Sequence, residues 1–157
     1  MDIYYKPISE SGKQMINYVC KYAPVELFKG FGQECAVLEE MPENFDKSDK
    51  IAHANLCGFG KSVIQAVLEG KVDELVLVNC CDSMRRVYDI IENTKKCKFL
   101  YMLDLPHEDN ECENIKFAQS ILRLKKAYER YSHRTFDREL FIKSFAKPQS
   151  ERKPYIG

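Results

Sequence analysis

Residues 74–86 read ELVLVNCCDSMRR, and this stretch decides the fold. Six mostly apolar strand formers run to Asn79, two cysteines follow, and Asp82 opens a segment in which Met84, Val87, Tyr88 and Ile91 recur at i, i+3, i+4 and i+7. That spacing predicts a helix with one buried face, and Asp82 is a residue type suited to its N-cap. A strand that is apolar on both faces is covered on both faces, which is the condition of a parallel sheet between helices.

The same alternation continues outward. Upstream, CGFGKSVIQAVLEGK places Val63, Ile64, Val67 and Leu68 on one helical face, with Gly70 where a C′ glycine belongs. Before it, PVELFKGF (24–31) predicts a short helix, ECAVLEE a strand at about 35–39, and MPENFDKSDK a polar loop. Downstream, KFLYML predicts a strand and DLPHEDNE a loop. A long helix then runs from Cys112 to about His133, with Phe117, Ile121, Leu124, Tyr128 and Tyr131 as its buried stripe. Thr135 is a candidate cap for a last helix holding Leu140, Phe141 and Phe145. These elements predict an α/β, three-layer Rossmann-like domain over 1–147, with a short parallel sheet joined by right-handed crossovers. KPQSERKP reads as a linker and PYIG as the start of a strand, so 148–157 is expected to lead into a second domain.

Composition narrows the function. A chain of 157 residues with 45% hydrophobic content and zero formal charge is sized for a real core and carries neither a polybasic stripe nor an acidic tail, so no nucleic-acid partner is expected. No apolar run approaches the roughly 20 residues of a membrane span, and MDIYYKPISESGK lacks the features of a secretory signal. No membrane association and a cytoplasmic location are expected. Seven cysteines, odd in number and irregular in spacing, point in a reducing compartment to packing, redox chemistry or metal ligation before disulfides.

Ligands of open parallel sheets bind at the carboxyl edge of the strands, where Cys57, Cys80, Cys81 and the loop Asp104–Asn110 are expected to fall. Cys57 and the Cys80/Cys81 pair each precede a helix, whose free N–H groups favour the thiolate form that binds metal. If the two preceding strands are neighbours, Cys57 and one of the pair reach the same soft ion or iron–sulfur cluster. Strand alternation lets only one of Cys80 and Cys81 point inward. Each cysteine, taken singly, also has an apolar packing role to weigh, and that role is expected for Cys35, Cys97 and Cys112. Zinc is less favoured, because no C-x-x-C pair is present, and adjacent cysteines rarely form an unstrained disulfide. CGFGKS lacks phosphate-loop spacing; Gly58 and Gly60 are expected to let the backbone pass closely around whatever Cys57 holds. His53 and His107 are weak acid–base candidates, and Arg85 and Arg86 are either solvated or dock an anion.

Four ordered segments, YVCKYAPVELFKGFG, NLCGFGKSVIQAVLEG, NCCDSMRRVYD and FLYMLDLPH, together resemble the 2-hydroxyacyl-CoA dehydratase D-component family, which includes benzoyl-CoA reductase subunits and double-cubane cluster proteins. The resemblance implies an iron–sulfur cluster, 4Fe-4S or double cubane, held by cysteines from separate loops. By motif, Cys57 and Cys81 are its ligands, and Cys20 matches a cysteine of the double-cubane branch. It further implies an ATP-dependent activator protein that delivers low-potential electrons, an acyl-CoA substrate in the dehydratase branch, and a second α/β domain that contributes another ligand. Cys80 beside Cys81 departs from the pattern. Two other classes stay open: a cluster-free accessory domain docking a partner through Asp104–Asn110, and a zinc-stabilised domain.

Overall fold

A computed structural model describes residues 15–39 and 41–146. Its strands are β1 (Ile16–Tyr18), β2 (Cys35–Val37), β3 (Glu74–Val78) and β4 (Phe99–Leu103). Its helices are α1 (Val25–Lys29), α2 (Gly58–Leu68), α3 (Asp82–Thr94), α4 (Glu111–Ser132) and α5 (Arg138–Phe145), with a single 3-10 turn at Ser48–Lys50. The strands pair in the order β2-β1-β3-β4, every pair parallel.

All five residues of β3 are buried, as its unbroken apolar sequence requires. Leu75 and Leu77 face a core built with Val63, Ile64 and Val67 of α2 and Met84, Val87 and Ile91 of α3. Val76 and Val78 face the opposite core, with Leu27 and Phe28 of α1 and Leu124 and Tyr128 of α4. Strand β4 alternates likewise, Leu100 and Met102 toward α2 and α3, Phe99 and Leu103 toward α1 and α4. The result is three layers. Full burial of one such aliphatic side chain contributes about 1.5–3 kcal/mol, so the two cores, not helix propensity, hold the sandwich together.

Strand β1 was not among the expected elements. Three residues, one of them Asn17, give no readable period, yet β1 pairs with both β2 and β3 and lies inside the sheet. It therefore separates β2 from β3, and the strands that precede Cys57 and Cys80 are not neighbours, so the condition under which those two thiols share a ligand directly is not met by strand pairing. Other corrections are local. The N-cap of α3 is Cys81, and Asp82 is its first helical residue. The cap of α5 is Asp137, not Thr135: its carboxylate accepts from the amides of Glu139 and Leu140 at 2.8 and 3.2 Å. The polar loop after β2 is pinned by Gln65, whose Oε1 accepts from the amides of Lys47 and Ser48 at 3.0 and 2.8 Å. Gly70 takes the left-handed conformation expected after α2, with φ 75°. The expected linker and strand at 148–157 lie outside the described residues.

Candidate functional site

The chain leaves β1 toward the edge strand β2, then returns over β1 to reach β3. The connection reverses between the carboxyl ends of β1 and β3, and such a reversal is where open α/β sheets form their ligand crevice. Cys20 follows the end of β1, and Cys80 and Cys81 follow the end of β3. Register sets the exits of β1 and β3 side by side, because Tyr18 pairs with Val76 and the Val19 amide donates to the Val76 carbonyl at 3.2 Å.

Backbone geometry at both ends is unusual. Cys20 has φ 78°, a left-handed conformation that residues with a Cβ seldom adopt, and its carbonyl accepts from the Ala23 amide at 3.2 Å in a tight turn. Beyond β3, the Cys80 amide donates back to the Val78 carbonyl at 2.8 Å, so the chain curls at once instead of running on. Partial burial, and after it the nearby thiols of Cys81 and Cys20, push the Cys80 thiol up to about 11. Since Cys80 is exposed as a residue, its two thiol neighbours are the informative part.

Cys57 stands at the same edge by another route. It is the N-cap of α2, and its sulfur accepts weakly from the Gly60 amide at 3.4 Å. Helices α2 and α3 lie side by side on one face of the sheet. Gly60 allows this: a Cβ there would stand 3.0 Å from Val87 Cγ2 and 3.2 Å from Leu56 Cγ, whereas one on Gly58 would meet nothing within 4 Å. The expected role for these glycines thus changes. Gly60 serves helix-on-helix contact, and Gly58 is not required by packing. Cys81 makes no side-chain capping bond, so its exposed thiol is uncommitted to its helix.

The other cysteines divide. Burial pushes the thiols of Cys35 and Cys97 up to about 12, in keeping with packing roles. Cys112 is exposed in the first turn of α4, which corrects the packing role expected for it. His53 Nδ1 accepts from the Asn55 amide at 3.1 Å within an exposed turn. His107 is exposed, and its amide donates to Glu113 Oε2 at 3.2 Å. Arg85 and Arg86 are both exposed.

Asn79, which sequence reasoning passed over, joins the two loops at this edge. Its Nδ2 donates to Asp104 Oδ1 at 2.7 Å and its Oδ1 accepts from the Leu105 amide at 2.8 Å. An Asn closing an apolar strand was the available signal. Beside that loop lies a cavity of about 320 Å³ lined by Asp104, Pro106, His107, Lys116, Phe117 and Arg123. Lys116 is paired with Glu113 at 2.7 Å, and Arg123 donates to Ser120 Oγ at 2.8 Å.

Cysteine thiolates are the donors that iron–sulfur clusters use, and four cysteines, Cys20, Cys57, Cys80 and Cys81, lie along this edge. Among the described residues, no three His, Cys, Asp or Glu side chains are grouped closely enough to hold a metal ion. The donors are thus of the right kind but not drawn into a closed cage.

The fold defines a Rossmann-like α/β domain whose chain reversal, between the carboxyl ends of β1 and β3, is lined by cysteines. The model of the family described as 2-hydroxyglutaryl-CoA dehydratase, D-component, matches residues 20–155, and the chain belongs to that family. No curated protein matches it. Among the described residues, no helix is long and apolar enough to cross a membrane.

Proposed function

We propose that this chain is the iron–sulfur domain of a 2-hydroxyacyl-CoA dehydratase-type enzyme that takes low-potential electrons from an ATP-dependent activator. Cys20, Cys57 and Cys81 are its cluster ligands. The observation that carries this reading is that Cys20 and the Cys80/Cys81 pair follow the ends of the neighbouring strands β1 and β3 at the switch point, with Cys57 capping the helix packed against α3. A bound cluster supplies one-electron chemistry at strongly negative potential. The chain supplies soft donors and two helix N-termini, whose partial positive charge suits an anionic cluster. To ligate, Cys57 gives up only a weak 3.4 Å contact with its own helix, and Cys81 gives up no capping bond. Cys20 supports a second reading within the same chemistry, a double-cubane reductase of small molecules, because in YVCKYAP it matches a cysteine of that branch.

Anaerobic reconstitution with iron and sulfide tests the proposal. A brown protein with broad visible absorption is expected, and Cys57→Ala and Cys81→Ala should each lose most of it. Equal iron and sulfide content in both variants and the parent would remove these cysteines from the ligand set. One equivalent of zinc and no iron after anaerobic purification would favour the zinc-stabilised domain instead.

A further inference from the structure

Cys80 has no place in the ligand set above, yet it sits among thiols. It is adjacent in sequence to Cys81, and Cys20 is its other thiol neighbour. Vicinal cysteines rarely close an unstrained disulfide, and Cys81 is held in extended backbone, φ −159° and ψ 165°, at the start of α3. Cys20 presents a different geometry. It follows the end of β1 as Cys80 follows the end of the neighbouring β3, and strands about 4.8 Å apart bring the two chain exits within the order of the roughly 4.4–6.8 Å between Cα atoms that a disulfide spans. The two positions differ in level, Cys20 being two residues beyond Tyr18 and Cys80 four beyond its partner Val76. The curl that returns the Cys80 amide to the Val78 carbonyl shortens that difference.

We propose that Cys20 and Cys80 form a reversible disulfide across the ends of β1 and β3 when the chain carries no metal. The oxidant is an external disulfide of the glutathione class. One thiolate attacks it to give a mixed disulfide, and the second thiol displaces the leaving thiol. One S–S bond forms and one breaks; two electrons and two protons pass to the external disulfide, which leaves as two thiols. Formation of this bond is independent of any cluster. A consequence that rests on the cluster reading is that the oxidised chain has lost Cys20 as a ligand and takes up iron poorly until reduced.

The test treats the metal-free full chain with oxidised glutathione, alkylates remaining thiols and digests with trypsin. The expected product is a cross-link between the peptides of residues 14–21 and 72–85, reversed by dithiothreitol. Because the second peptide holds both Cys80 and Cys81, the assay is repeated in Cys80→Ser and Cys81→Ser: the link should vanish in the first and persist in the second. Protection of Cys20 from iodoacetamide after oxidation gives a second readout in the parent chain. No intramolecular link, or a link that survives Cys80→Ser, overturns the proposal. A link that forms while iron uptake by the oxidised chain stays unchanged leaves the disulfide standing and counts against Cys20 as a cluster ligand.

Discussion

The side chain of Asn79 and the carboxylate of Asp104 are joined by a 2.7 Å hydrogen bond that fastens the loop after β4 to the loop after β3. Asn79 also accepts from the Leu105 amide at 2.8 Å, and its own amide donates to the Leu103 carbonyl at 3.1 Å. The residue thus holds two loops of the sheet's carboxyl edge in one register, immediately before the cysteine pair. Asn79→Ala removes both side-chain bonds and leaves the Leu105 amide without its partner. The expected loss is about 1–2 kcal/mol in chemical denaturation, with faster hydrogen exchange at Leu105 than in the parent. Unaltered exchange at that amide would show that the loop is held by something else.

Glu74 makes stability depend on pH. It is buried at the start of β3, Tyr131 donates to its Oε1 at 2.7 Å, and its Oε2 has no hydrogen-bond partner. Burial raises its pKa above the ordinary 4.5, while the Tyr131 bond and the Arg134 charge pull the other way. A raised carboxyl pKa means that the folded state holds the proton more tightly than the unfolded chain. Stability from this group is therefore complete below about 4.5 and declines as pH rises from there through the folded value. Glu74→Gln keeps an acceptor for Tyr131 and removes the ionisation. Its stability relative to the parent should improve between pH 4 and pH 7, read from denaturation midpoints at both; a pH-independent difference contradicts the assignment.

Long periodic segments were legible from sequence because burial writes itself into them. In α4, Leu124 and Tyr128 are essentially fully buried, and Phe117, Ile121 and Tyr131 pack beside them, as the stripe predicts. Strand β3 is likewise buried throughout. Strand β1 was not legible, since its place comes from pairing on both sides and not from a pattern in three residues. The caps were ambiguous for a related reason: Thr135 and Asp137 are both suitable types, and only backbone conformation selects Asp137. At the site, the thiols and the sheet edge could be read, but the neighbour of Cys80 could not. Knowing that it is Cys20 requires the strand order.

Gly60 sets how closely α2 approaches α3. A Cβ there would stand 3.0 Å from Val87 Cγ2, and a methyl alone can be absorbed by a small shift while gaining about 1 kcal/mol of helix propensity. A branched side chain cannot. Gly60→Val is expected to destabilise by about 1–3 kcal/mol through overpacking. Adding Val87→Ala should recover part of that loss despite the cavity it opens elsewhere, giving a favourable coupling in a double-mutant cycle. Simple additivity of the two changes would mean that the helices separate freely at this point.

Cys20 is held in a conformation that its own side chain opposes. At φ 78° a Cβ costs roughly 1–2 kcal/mol, which glycine does not suffer. Were Cys20 only a packing residue, replacement by Ala would be the mild change and by Gly the harsher one. The backbone predicts the reverse order. Cys20→Gly should be more stable than Cys20→Ala by about 1 kcal/mol, because relief of strain exceeds the extra unfolded-state freedom of glycine. Both variants should lose iron after anaerobic reconstitution to the same extent, since both lack the sulfur. A glycine variant that is the more stable of the two while both lose the metal is the behaviour of a residue retained for its thiol. If Cys20→Gly proves the less stable of the two, the strain is not real and the argument from backbone to function at this position fails.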